Sequence, residues 1–407
     1  MKGWNQTNLG NVVEKIVGGG TPSKKIDSYW NGKIPWASVK DLSDGEFHLS
    51  KTKDWITKEG LVNSSSNLVK KGTVILPTRM GLGRVVRAEI DVAINQDLKA
   101  LYPNSNLIDT DYFLWLLVQL GEKIKSLGIG ATVSGVRLTE LKSIQLLLPD
   151  IKDQIRISSV VSAYDDLIQN NQKRIKILEE SAQRLYAEWF VNFKFPRHGK
   201  VKMIDSGTEF GMIPEGWRLE KIKQVARVND SSIKKQNAPE IINYISIADV
   251  STGKIDNQEV LKFSKAPSRA RRIINHGDII WSTVRPNRKS YALLLYPDQN
   301  TVVSTGFAVL TSKDVSFSYL YHWTTAQKFV DYLVNNAKGS AYPAVSGSDF
   351  EKAEILIPSK DVQRMFADIV DKYYEDKNIL EKLNVDLSKS RDLLIENLVT
   401  GKKLLKK

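Results

Sequence analysis

Two stretches decide the architecture: "GATVSGVRLTELKSIQLLLP" (130–149) and "GSAYPAVSGSDFEKAEILIP" (339–358). They align without a gap at an offset of 209 residues. Each runs from a small-residue loop through a short polar helix signal into an apolar strand that stops at proline, because proline cannot continue a strand ladder. A pattern shared over that length directs attention to a long internal repeat before any local structure.

Three more blocks occur in the same order. "KGTVILPTRMGLGRV" (71–85) resembles "HGDIIWSTVRPNRKS" (276–290) at an offset of 205. "INQDLKALYP" (94–103) resembles "VSTGFAVLTS" (303–312) at 209, and Gly3-Trp4 matches Gly216-Trp217 at 213. "GMIPEGWRLEKIKQV" (211–225) therefore restarts a module in mid-chain, much as "KGWNQTNLGNVVEKI" opens the chain. The offset drifts early in each half and then locks. The halves are expected to share framework strands and differ in the insertions between them.

After Pro149 and Pro358 the pattern changes. Val161, Tyr164, Ile168, Asn171, Ile175, Leu178, Ala182 and Leu185 follow a 3,4 spacing, the a/d seam of a coiled coil. Adding 209 gives Val370, Tyr373, Lys377, Leu380, Asn384, Leu387, Arg391 and Leu394, a weaker seam with three polar members. A helix of this length has too long a stripe to bury against one small domain. The two helices are expected to pack antiparallel on each other and to keep the modules apart, the alternative being that each lies back on its own module. A lone seam amide such as Asn171 fixes register more often than it binds a ligand.

Four segments follow: a globular module over 1–150, a spacer helix over 151–195, a linker and second module over 196–358, and a C-terminal spacer helix over 359–407. Within each module short apolar runs ("TVILP", "DIIWST") read as strands. "YFLWLLVQLGEKIKSL" (112–127) and "YLYHWTTAQKFVDYLVNN" (319–336) read as buried helices. The fold class is α+β: two similar mixed α/β domains separated by two long helices, with a pseudo-twofold internal repeat.

Composition narrows the function. The net charge is +13, and the excess lies in the two modules rather than in the helices. Such a balance points to nucleic acid, or else to a lysine-rich solvated surface. There are no cysteines, which excludes disulfides, thiolate metal sites and a cysteine nucleophile. No apolar run is long enough to span a membrane, and a cytoplasmic location is expected. The four histidines lack metal-ligand spacing. "VGGGTPSKK" (17–25) lacks the ending of a phosphate-binding loop and reads as a turn after the first strand. Asp150 and Asp153 suit a helix N-terminus better than a nuclease site.

The basic turns are the candidate contacts. "PTRMGLGRVVRAEI" carries Arg79, Arg84 and Arg87, and "STVRPNRKSYAL" carries Arg285, Arg288 and Lys289. Glycines or proline place these residues at strand connections, where an arginine fork can meet a guanine edge or a phosphate. The competing reading is an ordinary solvated hairpin. Arg271, in "SKAPSRARRIIN", and the pairs Lys24-Lys25 and Lys234-Lys235 extend the set, although lysine pairs in loops usually face solvent.

"GGGTPSKKIDSYWNGKIPWASVKDL" (18–42), "MIPEGW" (212–217), the doubled 130–149 pattern and a long helix after each half together resemble the DNA-specificity (S) subunits of type I restriction-modification systems. The resemblance covers nearly the whole chain, and only the second module departs, lacking the Gly-Gly-Thr-Pro element. It implies two target recognition domains reading the halves of a split, asymmetric site in double-stranded DNA, and conserved helices forming an antiparallel coiled coil. It also implies two modification subunits that bring S-adenosylmethionine, and restriction subunits that use ATP and magnesium. The chain itself would bind no cofactor and catalyse nothing. Two other classes remain open from the residues alone: a stand-alone nuclease or methyltransferase with an unrecognised site, and a coiled-coil adaptor whose modules bind protein.

Overall fold

The computed structural model describes residues 4–129 and 135–404, with the side chain of Lys235 outside that set. Residues 130–134 of the opening motif, Gly3 with the two residues before it, and the last three residues also lie outside the described residues. The helices named below are α1 (Thr110–Gln119), α2 (Ile151–Tyr186), α3 (Phe317–Thr325), α4 (Gln327–Asn336) and α5 (Lys360–Leu394).

The chain forms two compact units, one of residues 1–170 with 384–407 and one of residues 171–383. The long helices are not bodies of their own, because each unit takes part of both. The reason lies in the seam. In the first unit Asp165 of α2 meets Arg391 of α5, and the Ile168 carbonyl accepts from Asn384. In the second, Glu179 meets Lys377 and Tyr186 packs on Phe366. In each unit, advancing along α2 means retreating along α5, so the helices are antiparallel. Val161, Ile168, Asn171, Val370 and Leu380 are buried, while Tyr164, Ile175, Leu178, Tyr373, Leu387 and Leu394 are half-buried. Fully burying an aliphatic seam residue is worth about 1.5–3 kcal/mol. The polar seam positions in α5 are matched rather than weak, since Lys377, Asn384 and Arg391 each have a partner on α2.

The first unit has a five-stranded sheet in the order Val13–Gly18, Leu98–Pro103, Val74–Pro77, Val86–Ala88, His48–Leu49. A four-stranded sheet runs Asp54–Ile56, Trp30–Ala37, Val92–Ile94, Asn67–Val69. Strand alternation feeds two cores at once. Val74 and Leu76 face a core shared with α1, the start of α2 and Ile395–Val399, while Ile75 faces the core between the sheets. The second unit repeats this with Ala226–Val228, Phe307–Ser312, Asp278–Ser282 and Tyr291–Leu294. There Ile279 and Trp281 face the helix-side core and Ile280 the other. Ile75 and Ile280 stand 205 residues apart, as the aligned blocks require.

The last strand of each module returns to its first. Asn5 pairs with Leu148 and Arg218 with Ile357, both antiparallel. These pairs embody the offsets of 213 and 209. Behind each closing strand a buried glutamine secures the start of the long helix: Gln154 donates to the carbonyls of Pro149 and Leu107, and Gln363 donates to that of Pro358.

The buried helices differ from the expected single runs. The first breaks between α1 and a short helix at Gly121–Ser126, and the second breaks at Ala326, whose backbone is extended. At Gly121 the backbone is closely approached: a Cβ there would stand 2.7 Å from the carbonyl oxygen of Gly83. The helix break and the basic turn thus press backbone against backbone, which only glycine permits.

Candidate nucleic-acid interface

In each unit the loop after the helix-facing central strand is clamped by the segment that precedes the closing strand. In the first unit Arg79 forms an antiparallel bridge with Gly135, which also bridges Ile129. In the second, Val284 bridges Ala344, which also bridges Lys338. The next residue adopts a left-handed backbone in both, Met80 at φ 50° and Arg285 at φ 52°. For side chains larger than glycine this conformation is uncommon, and such positions cluster where a side chain is aimed at a ligand. The repeat therefore aligns Met80, not Arg79, with Arg285.

An open cleft of about 740 Å³ lies beside the first loop, lined by Thr78, Arg79, Gln96, Lys99, Ile129, Val136 and Arg137 among others. Arg79, Gln96 and Arg137 are not buried. Lys99 is half-buried and donates to the carbonyls of Gln96 and Leu98. Burial lowers its pKa, the charge of Asp97 opposes that, and the neighbouring Arg79 lowers it further. Three cations lining one cleft suit a polyanion.

Arg84 and Arg87, expected among the contacts, are each held in ion pairs within the first unit. Arg84 forks onto the Asp44 carboxylate at 2.9 and 3.1 Å and donates to the Leu42 carbonyl. That ion pair raises its pKa and lowers that of Asp44. Arg87 bonds Glu89 at 3.1 Å and Asp111 at 2.6 Å. The acidic partners lie far away in sequence for three of these four bonds, so the turn's composition did not reveal them.

Arg87 belongs to a chain of charges that ties the sheet to the helix seam. Glu89 also meets His48 at 2.7 Å, and the other ring nitrogen of His48 meets Asp165 at 2.6 Å. Asp165 then accepts from Arg391 at 2.7 Å, and the Arg391 guanidinium lies 4.5 Å from the Phe47 ring. Burial alone would lower the His48 pKa, but the bonds to Asp165 and Glu89 outweigh it and raise the pKa. For Asp165 burial pushes upward, and the bonds from His48 and Arg391 win, leaving it lowered.

In the second unit Arg285 donates Nη2 to the Ala341 carbonyl at 3.2 Å and lies over the Tyr342 ring, 4.6 Å from its centroid. Arg288 is exposed at the end of the 3₁₀ turn Pro286–Arg288. Lys289 donates to Gln327 of α4 at 2.8 Å. Arg271 stands on the other sheet of this unit, bonded to the Ala270 carbonyl at 2.8 Å and stacked on Phe263 at 4.6 Å. Lys24 and Lys25 are exposed in the loop after the first sheet strand.

The glycines of that loop serve packing. A Cβ on Gly19 would fall 1.9 Å from the Ile94 carbonyl oxygen, and one on Gly20 would fall 2.0 Å from the Ser65 hydroxyl. Asp150 caps α2, accepting from the Asp153 amide at 2.8 Å. Sequence reasoning missed Gln96, Lys99, Arg137 and Tyr342. All four lie in blocks of the repeat, two in 94–103 and one in each closing motif, so the repeat was the signal that could have found them.

Comparison with known proteins agrees with this architecture. A family model described as the type I restriction modification DNA specificity domain matches residues 1–180 and 214–387. The type I restriction enzyme MjaIX specificity subunit of Methanocaldococcus jannaschii is 26% identical over 412 residues, covering 98% of this chain and 93% of that one. The EcoR124I/EcoR124II specificity subunit of Escherichia coli is 29% identical over 194 residues, covering 46% of this chain and 47% of its own length. The crystal structure of the S subunit of a type I restriction-modification system from M. genitalium shares the fold. Its TM-score is 0.61 at 16% identity, over 99% of this chain and 96% of that one.

Proposed function

Because the chain belongs to the type I restriction modification DNA specificity domain family, we propose that it is the subunit that reads DNA sequence for such a system. Its two modules would each read one half of a split, asymmetric site. The observation that carries this reading is the same clamped loop built twice with different exposed side chains. One loop offers Arg79, Met80 and the Lys99–Arg137 cleft; the other offers Arg285, Arg288 and Tyr342. One framework with two sets of contacts is what an asymmetric bipartite site requires.

In this reading the antiparallel helices are also the platform for two modification subunits. Leu167 and Ile177 of α2, with Ile379, Leu383 and Leu393 of α5, are exposed off the seam and are candidates for such contacts. The modification subunits would supply S-adenosylmethionine and adenine methylation. The restriction subunits would supply ATP-driven and magnesium-dependent chemistry. This chain would supply selection alone.

The test is methylome sequencing of a methylation-free host carrying this chain with its modification subunit. Adenine methylation at one gapped, non-palindromic motif is the expected result, and its loss when this chain is omitted completes it. Methylation without the chain, or at a continuous motif, refutes the reading. Salt titration of DNA binding separates it from a protein-binding adaptor. Affinity should fall with a log–log slope of about −0.9 per phosphate contacted.

A further inference from the structure

The loop of the second unit holds an arrangement that the family's general role does not specify. Arg285 is restrained at three points, all supplied by three consecutive residues. Its amide donates to the Pro343 carbonyl at 2.7 Å, its Nη2 donates to the Ala341 carbonyl, and its guanidinium lies on the Tyr342 ring. Its backbone is held left-handed at φ 52°. Tyr342 itself is 69% exposed, so it is not there to fill a core. An arginine that only neutralised phosphate would need no such restraint, since a phosphate accepts a fork from many directions. A guanine edge presents N7 and O6 in one plane and rewards a fork fixed beforehand.

We infer that Tyr342 is a positioning residue for Arg285, and that the pair reads a guanine in the half-site of the second unit. This rests on the DNA-reading function proposed above. One Arg285 N–H bond is taken by Ala341, and a guanidinium has five N–H donors, which leaves enough for a bidentate contact. The Tyr342 face holds the guanidinium plane by cation–π attraction. In the first unit the aligned residue is Met80, 52% exposed, which has no side-chain donor to offer a guanine. The two half-sites therefore differ at the base that meets this position.

The experiment enriches a randomised duplex DNA library on the full-length chain and on four variants, Arg285→Ala, Tyr342→Ala, Tyr342→Phe and Tyr342→Leu. It then measures competition between duplexes that differ at single base pairs of the enriched motif. Arg285→Ala is expected to relax one G·C position in one half-site by roughly 10- to 100-fold, the range of a bidentate contact. Tyr342→Ala and Tyr342→Leu are expected to relax the same position by about two- to fivefold, as befits an exposed cation–π contact. Tyr342→Phe is expected to match the parent chain, because the ring and not the hydroxyl makes the contact.

Equal weakening of all sequences by Arg285→Ala reassigns it to phosphate and overturns the inference. So does an unchanged motif with Tyr342→Ala, a Tyr342→Leu variant as selective as Tyr342→Phe, or a Tyr342→Phe variant as relaxed as Tyr342→Ala. If neither the parent chain nor its complex with the modification subunit enriches a motif, the proposed function itself fails, and this inference fails with it. Exposure of Tyr342 protects the fold in these variants, and matching circular dichroism melts verify that.

Discussion

Replacing Asp165 with asparagine tests whether the helix seam and the first module stand or fall together. Asp165 accepts from Arg391 at 2.7 Å, from His48 at 2.6 Å and from Gln169 at 3.1 Å. The Asp165 and Arg391 side chains are only 5% and 4% exposed. Removing one partner of a buried pair leaves the other charge uncompensated, at a cost of about 3–5 kcal/mol. Asp392 remains 2.9 Å from Arg391, at the surface, so the low end applies: about 3 kcal/mol. At about 1.4 kcal/mol per factor of ten, that is roughly a 150-fold rise in the population of open states. Hydrogen exchange of the full chain, read by peptide, provides the assay. Peptides from 151–170, 384–399 and the five-stranded sheet should lose protection by about that factor, while peptides from 318–336 and 360–374 keep theirs. Exchange in the Asp165→Asn variant that stays within about threefold of the parent chain would refute the argument. Equal loss in both units would also refute it, because the pair would then not be a property of the first unit.

Two histidines, one in each unit, should contribute to stability with opposite pH signs. The His48 pKa is raised above 6.5, so its stabilisation is complete below 6.5 and is lost as pH rises through the folded value. Asp165 and Glu89 are lowered from 3.8 and 4.5, so their contribution is present above those values and is lost as pH falls below them. The first unit is therefore most protected between about pH 4.5 and 6.5, and His48→Gln should remove the loss on the alkaline side. In the second unit burial pushes the His322 pKa down to about 3, and the neutral ring shares a hydrogen bond with the Tyr374 hydroxyl at 3.0 Å. The unfolded chain takes up that proton below about 6.5, so the His322 contribution falls by up to about 1.4 kcal/mol per pH unit as pH falls from there, while Asp371, raised by burial to about 6, contributes with the opposite sign between about 6 and 3.8. Peptide-resolved exchange across pH on the parent chain, His48→Gln and His322→Gln checks both, and a variant whose profile in its own unit matches the parent's would refute the assignment. Gly83→Ala should destabilise more than Gly72→Ala as judged by urea midpoints. Both glycines have positive φ, 90° and 88°, but only at Gly83 would the new Cβ meet backbone, 2.7 Å from the Gly121 oxygen. The strain common to both is at least about 1 kcal/mol, and equal midpoints would show that the contact with Gly121 relaxes freely.

Much of the fold could be read from the order of residues. The offset of 209 between the closing motifs reappears as paired strands and as buried glutamines at equivalent places, Gln154 and Gln363. The 3,4 spacing after each proline reappears as the buried and half-buried stripe along which α2 and α5 meet. These features are periodic or repeated, and periodicity is a property of a one-dimensional string. The candidate interface was legible only in outline. Of the basic turns, Arg79 and Arg285 stand at the two clamped loops, while Arg84 and Arg87 are held by Asp44, Glu89 and Asp111.

The sequence by itself determined that one framework is built twice, that each copy ends in a long helix, and where the stripe between the two helices runs. Those outcomes follow from spacing, which repeats along the chain whatever it later touches. Tertiary structure alone decided which cations remain free to meet a ligand, that Tyr342 lies beneath Arg285, and that each compact unit borrows part of the other repeat's helix. These depend on which distant carboxylate, carbonyl or ring arrives beside a side chain, and that meeting is fixed by folding in three dimensions.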